Sequence, residues 1–186
     1  MDFAVGLTFL GVEVVLITLT LLAIVRIGLA RLGSSIGITR DGFPPGKAVP
    51  SWSLPDLEGH LRFTPAEDHW QFLIFANRSL VAFPDLINGI HHLVQVIQEL
   101  EVLILSHERR EDCEVTAEGL ELKVPVVSVN PAFYDRFRVR VVPFAFLLDP
   151  HGVVHWVGLI NTEAQLFLAW RMSQAVIHKG DLAKEI

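Results

Sequence analysis

The chain has 186 residues and a mass of 20.8 kDa, and its 51% hydrophobic content and mean hydropathy of +0.44 are high for a soluble domain. Its net charge of −6 and its 15 scattered basic residues argue against nucleic-acid binding, which requires clustered Lys and Arg. The single cysteine, Cys113, excludes an internal disulfide, a Cys-x-x-Cys pair and a cysteine-based zinc site.

The first 26 residues are predicted to form a single-pass transmembrane anchor. Residues 3–25 contain one ionisable side chain, Glu13, and a helix of this length spans a hydrocarbon core of about 30 Å. A cleavable signal peptide is the alternative. It is disfavoured because the basic segment that opens such peptides is missing, and because the apolar run exceeds their usual length of about 7–15 residues.

One face of this predicted helix has a distinct composition. Gly6, Glu13 and Thr20 recur every seven residues, so they share a side that is small at one end and can form hydrogen bonds in the middle. We predict that Glu13 meets a hydrogen-bond donor on a partner subunit. The alternative is a protonated carboxyl group that lipid tolerates.

The charges that flank the anchor favour a cytoplasmic C-terminal domain. Arg26, Arg31, Arg40 and Lys47 follow the apolar run, whereas no Lys or Arg precedes it. The positive-inside rule, taken alone, therefore places the rest of the chain in the cytoplasm.

Residues 27–49 are rich in Gly, Ser and Pro and are predicted to be a linker without a packed element. A globular domain is predicted at 50–179, followed by a tail at 180–186. In its first segment Trp52, Leu54 and Leu57 are expected to point inward, before a turn that ends at Gly59.

Strands and helices alternate through this predicted domain. Strands are expected at 71–76, 101–106, 124–129, 141–148 and 153–159, and helices at 84–100, 130–137 and 161–178. The turn at 149–152 joins the last two strands as a hairpin. The charged segment 107–123, which contains Cys113, is predicted to be a loop. The pattern indicates an α/β sandwich around a central sheet.

Five stretches of the sequence carry a resemblance to a known family. They are RIGLARLG at 26–33, GKAVP with SLPDLEG at 46–59, LIFANRS at 73–79, AEGLELKVPVVSVNPAFYDRFRV at 117–139 and VVPFAFLLDPHGVVHWVGLINTEAQL at 141–166. On these, residues 26–172 resemble the membrane-tethered thioredoxin-like proteins, most closely the accessory proteins of methylamine dehydrogenase maturation. The resemblance implies a thioredoxin-like α/β fold, with a central mixed sheet flanked by helices and preceded by one transmembrane helix. It also implies that the domain faces the extracytoplasmic side, against the charge rule.

The resemblance fails at the residues that carry the chemistry. The family's helix begins with Cys-x-x-Cys, and those two positions are Leu80 and Phe83 in this chain. Pro143 matches the family's cis-proline, and Asn88 stands where the family has a helix-kinking proline. Because dithiol exchange needs a thiolate, Leu80 and Phe83 cannot perform it. No catalytic residue is predicted.

Two further groups of residues were considered as sites. His91 and His92 diverge on a helix and His151 and His155 lie across a hairpin, so no metal site and no cofactor are predicted. Cys113 is predicted to be a surface thiol rather than a peroxidatic cysteine.

The last predicted helix is apolar around more than half of its circumference. Phe167 and Trp170 on this helix, together with Trp156, either dock a partner or the bilayer interface, or belong to a helix deeply buried in its own domain.

These features predict a non-catalytic subunit of a larger membrane complex, by analogy a respiratory or photosynthetic electron-transfer assembly. It would be held by its transmembrane face and by an apolar surface around Leu80, Phe83 and Pro143. The alternative is a membrane-tethered assembly or maturation factor that holds an immature redox protein. A disulfide oxidoreductase would require a thiol pair that the chain lacks.

Overall fold

The protein is described by a computed structural model that covers residues 41–182, with side chains to residue 175. The predicted anchor, the linker up to residue 40 and the end of the predicted tail lie outside these residues, as do Gly6, Glu13 and Thr20. Among residues 41–182, no helix combines the length and the apolar composition needed to cross a bilayer.

The described chain contains seven strands and four α-helices, joined in places by short turns. In chain order they are β1 (Trp52–Pro55), β2 (Leu61–Thr64), β3 (Trp70–Phe75), a 3₁₀ turn (Arg78–Ala82), α1 (Pro84–Val96), β4 (Leu100–Ser106), α2 (Arg110–Gly119), β5 (Val126–Ser128), α3 (Pro131–Phe137), β6 (Phe144–Leu148), β7 (Val154–Leu159) and α4 (Glu163–Leu182).

The central sheet has five strands in the order β5-β4-β3-β6-β7. Strand β4 runs parallel to β3 and to β5, whereas β6 runs antiparallel to β3 and forms the predicted hairpin with β7. The predicted mixed sheet is confirmed. A separate two-stranded sheet pairs β1 with β2.

Each face of the sheet is covered by its own core. Strand β3 is apolar on both faces: Phe72 and Ile74 pack toward α1 and α4, whereas Leu73 and Phe75 pack toward α3. This is the pattern expected of a central strand that is covered on two sides. Helix α1 buries Leu86, Ile90 and Leu93, as the spacing predicts.

The linker predicted at 27–49 was expected to lack packing, but residues 41–49 pack against the domain. The Phe43 ring lies 6.3 Å from that of Phe137 and 6.5 Å from that of Phe146. Gly42 has φ +78°, and a Cβ at this position would lie 2.8 Å from Val157 Cγ2, so this step needs glycine. We call residues 41–49 the strap.

Two other elements were missed by the sequence analysis. The charged loop predicted at 107–123 contains helix α2, whose first turn carries Glu111 and Asp112, where the helix dipole favours acidic side chains. Strand β2 was not predicted because its apolar residues point outward: Leu61 is 63% exposed and Phe63 is 49% exposed.

The first predicted helix ends at Val96 rather than near residue 100, because Leu100 pairs with Trp70 in the sheet.

Helices α1 and α4 approach each other most closely at Gly89. A Cβ at Gly89 would lie 2.6 Å from Glu163 Cα, closer than van der Waals contact allows. Glu163 also accepts a 2.6 Å hydrogen bond from His92 Nδ1, and its backbone N–H donates to Asp85 Oδ2 at 3.3 Å. The start of α4 is therefore fixed to α1.

Replacing Gly89 with alanine is expected to lower the free energy of unfolding by about 1–3 kcal/mol, because backbone must move to relieve the overlap. Gly119, at the end of α2, is the matched control, since a Cβ there would meet nothing within 4 Å. Urea titration of both variants is the measurement. A Gly89→Ala protein as stable as Gly119→Ala would contradict the close approach of the helices.

Candidate functional site

The two positions that the sequence resemblance matches to cysteines, Leu80 and Phe83, lie just after β3. Asn77 begins the 3₁₀ turn: its side chain accepts a 2.9 Å hydrogen bond from Ser79 N–H. The turn continues through backbone hydrogen bonds from Leu80 N–H to Asn77 O and from Phe83 N–H to Leu80 O, both 2.9 Å. Pro84 then starts α1, where its missing N–H would lack a helical partner in any case.

Leu80 points into the domain rather than out of it. Its side chain is 1% exposed and belongs to the core between the sheet and α1. It also lines a cavity of about 20 Å³ together with Ile104, Cys113 and Val126. A cavity of this size has room for about one water molecule, and its lining here is mostly apolar. Leu80 is therefore part of the core and not of an exposed surface.

The residues that follow Leu80 in the turn are less buried than Leu80 itself. Val81 is 61% exposed, Ala82 is exposed and Phe83 is half-buried against the core. Val81, rather than the predicted Leu80, is therefore the large exposed apolar residue of this turn, and it lies beside the exposed polar residues Arg78 and Ser79.

Pro143 lies at the same edge of the sheet. Phe75, the last residue of β3, is paired with Phe144, the first residue of β6, so the segments beyond them are neighbours. The Val142–Pro143 peptide bond is cis. Pro143 is buried, and its carbonyl accepts a hydrogen bond from Ile160 N–H at 3.2 Å. Val141, two residues earlier, is 51% exposed.

Val81 and Val141 are exposed residues near this edge, and each lies close in sequence to a buried residue, Leu80 or Pro143. We call this surface the valine edge. Neither valine carries a group that can act as a nucleophile, an acid or a base. What the valine edge offers chemically is apolar contact area.

Cys113 is buried, which corrects the prediction of a surface thiol. It is 2% exposed on α2, and its Sγ lies 3.6 Å from the Glu108 carbonyl oxygen, to which it can donate. Burial raises the pKa of the Cys113 thiol, and this outweighs the lowering effect of the hydrogen bond with Ser106. The thiol therefore stays protonated at neutral pH, and the protonated form is not nucleophilic.

Three of the four histidines named in the sequence analysis, His91, His92 and His155, have a carboxylate or backbone partner. His155 Nε2 lies 3.1 Å from Asp149 Oδ2, His92 pairs with Glu163, and His91 Nε2 accepts from Lys123 N–H at 3.4 Å. Within residues 41–182, no group of three or more His, Cys, Asp or Glu side chains is arranged to hold a metal ion.

The aromatic residues predicted to dock a partner pack partly on their own domain. Trp156 contacts Phe72 edge-on at 6.3 Å, Trp170 contacts Trp70 at 5.7 Å, and Phe167 lies 5.1 Å from the His92 ring. All three of the predicted residues are half-buried. Helix α4 buries Leu166 and Ala169 completely, and its exposed apolar residues are Leu168 and Met172.

Comparison with known proteins gives the fold and nothing finer. No family model and no curated protein matches the chain. Among solved structures, it is similar to the thioredoxin domain of a thiol-disulfide oxidoreductase from Bacteroides vulgatus: 13% identity, TM-score 0.59, covering 70% of this chain and 99% of that one.

Two other solved structures show the same likeness. A thioredoxin-family thiol:disulfide interchange protein from Chlorobium tepidum has 15% identity and a TM-score of 0.56, covering 70% of this chain and 97% of that one. The peroxidoxin BcpB from Mycobacterium tuberculosis has 16% identity and a TM-score of 0.56, covering 71% and 97%. The protein thus has a thioredoxin-like fold, and its structural neighbours are thiol-disulfide oxidoreductases and a peroxidoxin.

Proposed function

We propose that this chain is a redox-inactive, membrane-attached thioredoxin-fold subunit that docks into a larger membrane complex through the valine edge. The observation that carries the proposal is the apolar character of the two positions that the sequence resemblance matches to cysteines. Leu80 is buried in the core, Phe83 is half-buried against it, and Val81 and Val141 nearby are exposed.

The chemistry of the described residues supports the absence of dithiol exchange. The single thiol of the chain, Cys113, is buried and protonated, and disulfide exchange begins with attack by an exposed thiolate. The sequence resemblance matches Pro143 to the family's cis-proline, and the two positions that it matches to cysteines carry no thiol. Such a site suits binding without turnover.

Membrane attachment is supported by the sequence of residues 3–25, which carry one ionisable side chain in a run long enough to span a bilayer. The helix face of Gly6, Glu13 and Thr20 supplies a second contact for a partner subunit. The family resemblance favours an extracytoplasmic domain and, by association, a respiratory or photosynthetic electron-transfer assembly as the host.

The test is a gentle detergent purification of the tagged full chain from its native membrane, with partners identified by mass spectrometry. The double variant Val81→Asp/Val141→Asp removes the apolar contact, because each aspartate would have to be desolvated in the interface. Val115, on α2, is 72% exposed, so Val115→Asp is the matched control.

We expect the wild type and Val115→Asp to recover the same partners in stoichiometric amounts, and the double variant to lose most of them. Equal recovery with all three proteins would contradict docking at the valine edge. Recovery with precursor forms alone would favour an assembly factor. Turnover in an insulin-reduction assay would overturn redox inactivity.

A further inference from the structure

A second surface of the domain has a composition that the proposed function does not use. Along the chain from α3 toward Pro143, Phe137 is fully buried and Val139 is 3% exposed, whereas Arg136, Arg138 and Arg140 between and beside them are exposed. The three exposed guanidinium groups therefore come from five consecutive residues, 136–140.

The strap packs against this arginine segment. Gly42 N–H donates to the Arg138 carbonyl oxygen at 2.9 Å, and the Arg138 guanidinium lies 5.0 Å from the centre of the Phe43 ring. Arg136 Nη2 donates to the Ser51 carbonyl oxygen at 2.9 Å, just after the strap. The strap and the arginines therefore form one surface, which we call the basic face.

One of these arginines is neutralised and two are not. Arg140 forms an ion pair with Asp41, whereas Arg136 and Arg138 form none with any carboxylate of residues 41–175. Lys47, exposed on the strap, likewise forms no ion pair within that range. Segments 41–49 and 131–142 together therefore contain four basic side chains and two carboxylates, Asp41 and Asp135.

The rest of the molecule has the opposite charge. The chain as a whole carries −6, and helix α2 alone presents Glu111, Asp112, Glu114 and Glu118. Helix α2 packs on the other side of the sheet, because Cys113 belongs to the core shared with α1, whereas α3 packs on the side of Phe75. One face of the domain is therefore basic, whereas the rest of its surface is acidic. Such an uneven charge distribution favours one orientation of the domain next to a charged surface.

We propose that the basic face rests on the anionic headgroups of the lipid bilayer, with Arg136 and Arg138 as the principal contacts. The inference rests on the membrane attachment in the proposed function and specifies how the domain is oriented. The strap directly follows residues 26–40, which carry Arg26, Arg31 and Arg40. An anionic lipid surface attracts these arginines as well as the basic face.

Charge determines which face docks, because each Arg near an anionic leaflet stabilises the docked orientation. Removal of two Arg side chains is expected to lower the docked population about 30-fold. Val141 follows Arg140 and is 51% exposed, so in the chain without its partner subunits it reports how near the basic face lies to the headgroups.

The test uses the full chain in nanodiscs of neutral phosphatidylcholine, with or without anionic phosphatidylglycerol. A fluorophore is attached at Val141→Cys or, as a control, at Leu168→Cys on α4, which is 41% exposed. Cys113 needs no replacement, because it is buried. Lipids with a spin label on the headgroup report how close each fluorophore is to the membrane surface.

We expect quenching at position 141 to exceed quenching at 168 several-fold in anionic nanodiscs, and the difference to disappear in 0.5 M salt, where the screening length falls to roughly 4 Å. The pair Arg136→Gln/Arg138→Gln should also abolish it, whereas Arg136→Lys/Arg138→Lys should retain it. The lysine pair controls for damage to the fold, because it keeps the charge and loses the same guanidinium contacts.

Two results would overturn the inference. Equal quenching at both positions in anionic nanodiscs would show that the basic face has no preference for lipid, and would favour an acidic protein partner instead. Quenching at 141 that stays as strong in neutral nanodiscs, or in high salt, as it is in anionic nanodiscs at low salt would show apolar rather than charge-based contact. A full chain that does not associate with nanodiscs at all would contradict the proposed membrane attachment itself.

Discussion

Replacing Leu80 with alanine is expected to lower the free energy of unfolding by about 3–5 kcal/mol, near the upper end for buried leucines. The physical reason is that Leu80 is 1% exposed and already borders a cavity of about 20 Å³, so its removal enlarges a void that the surrounding strands cannot close. Chemical denaturation followed by intrinsic fluorescence gives the measurement.

Val81 supplies the control for this experiment, because it is the next residue, has a similar apolar side chain and is 61% exposed. Val81→Ala is expected to change stability by no more than about 0.5 kcal/mol. If the two variants were equally stable, Leu80 would have to lie at the surface. The placement of Leu80 inside the core would then be wrong.

Replacing Asp56 with alanine is expected to cost about 3 kcal/mol at neutral pH, in the range found when one partner of a buried ion pair is removed. Asp56 is 2% exposed, and its carboxylate accepts hydrogen bonds from Arg62 Nε and from the N–H groups of Glu58 and His60 at 2.8–2.9 Å. These bonds hold the turn between β1 and β2.

The ionisation of Asp56 is also expected to make the stability of the fold depend on pH. Burial acts to raise the pKa of this carboxyl, but the hydrogen bonds and charge of Arg62 and the backbone bonds outweigh it, so the pKa is lowered below its ordinary value. A carboxyl that is more acidic in the folded state stabilises the fold above the ordinary pKa of about 4. That stabilisation is lost as the pH falls through the lower, folded-state pKa.

The variant Asp56→Asn isolates this effect, because it removes the charge and keeps one oxygen acceptor. Its stability deficit at pH 7 should shrink as the pH is lowered below about 4. Glu58→Gln is the control, since Glu58 is 79% exposed and should show no deficit at any pH. If the stability deficit of Asp56→Asn did not change with pH, the pKa of Asp56 would have to be the same in the folded and unfolded states.

The neighbouring network explains why so short a hairpin is held in place. Arg62 also bonds Glu101 Oε1 at 3.2 Å, and Gln71 Nε2 donates to Glu101 Oε2 at 2.8 Å and to the Phe63 carbonyl at 2.9 Å. Gln71, in the middle of the sheet, is fully buried and has partners for its amide. Buried polar groups that are satisfied in this way fix one arrangement of elements.

Much of the sheet could be predicted because its strands follow simple rules. Strand β3 is apolar on both faces, and the turn Asp149 to Gly152 carries the expected hairpin signal, with Gly152 N–H donating to Asp149 O at 2.9 Å. The strand order follows from the parallel and antiparallel connections once the helices are placed. These parts depend on local composition, which a single sequence contains.

The orientation of side chains at the candidate site could not be predicted in the same way. The alignment of motifs placed Leu80 and Phe83 at the cysteine positions, but a 3₁₀ turn decides which of Leu80 and Val81 faces the core. Cys113 was assigned to the surface because its neighbours are charged. Helix α2, however, turns those charges outward and Cys113 inward. Such outcomes depend on tertiary packing, which overrides local pattern.

The strap changes where the domain begins. Phe43 covers the rings of Phe137 and Phe146, and Val49 is 8% exposed, so residues 41–49 complete the core on the α3 side of the sheet. A fragment that starts at residue 50 would uncover those aromatic rings and expose a hydrophobic surface prone to aggregation. Proteolytic release of an intact domain therefore requires cleavage before Asp41.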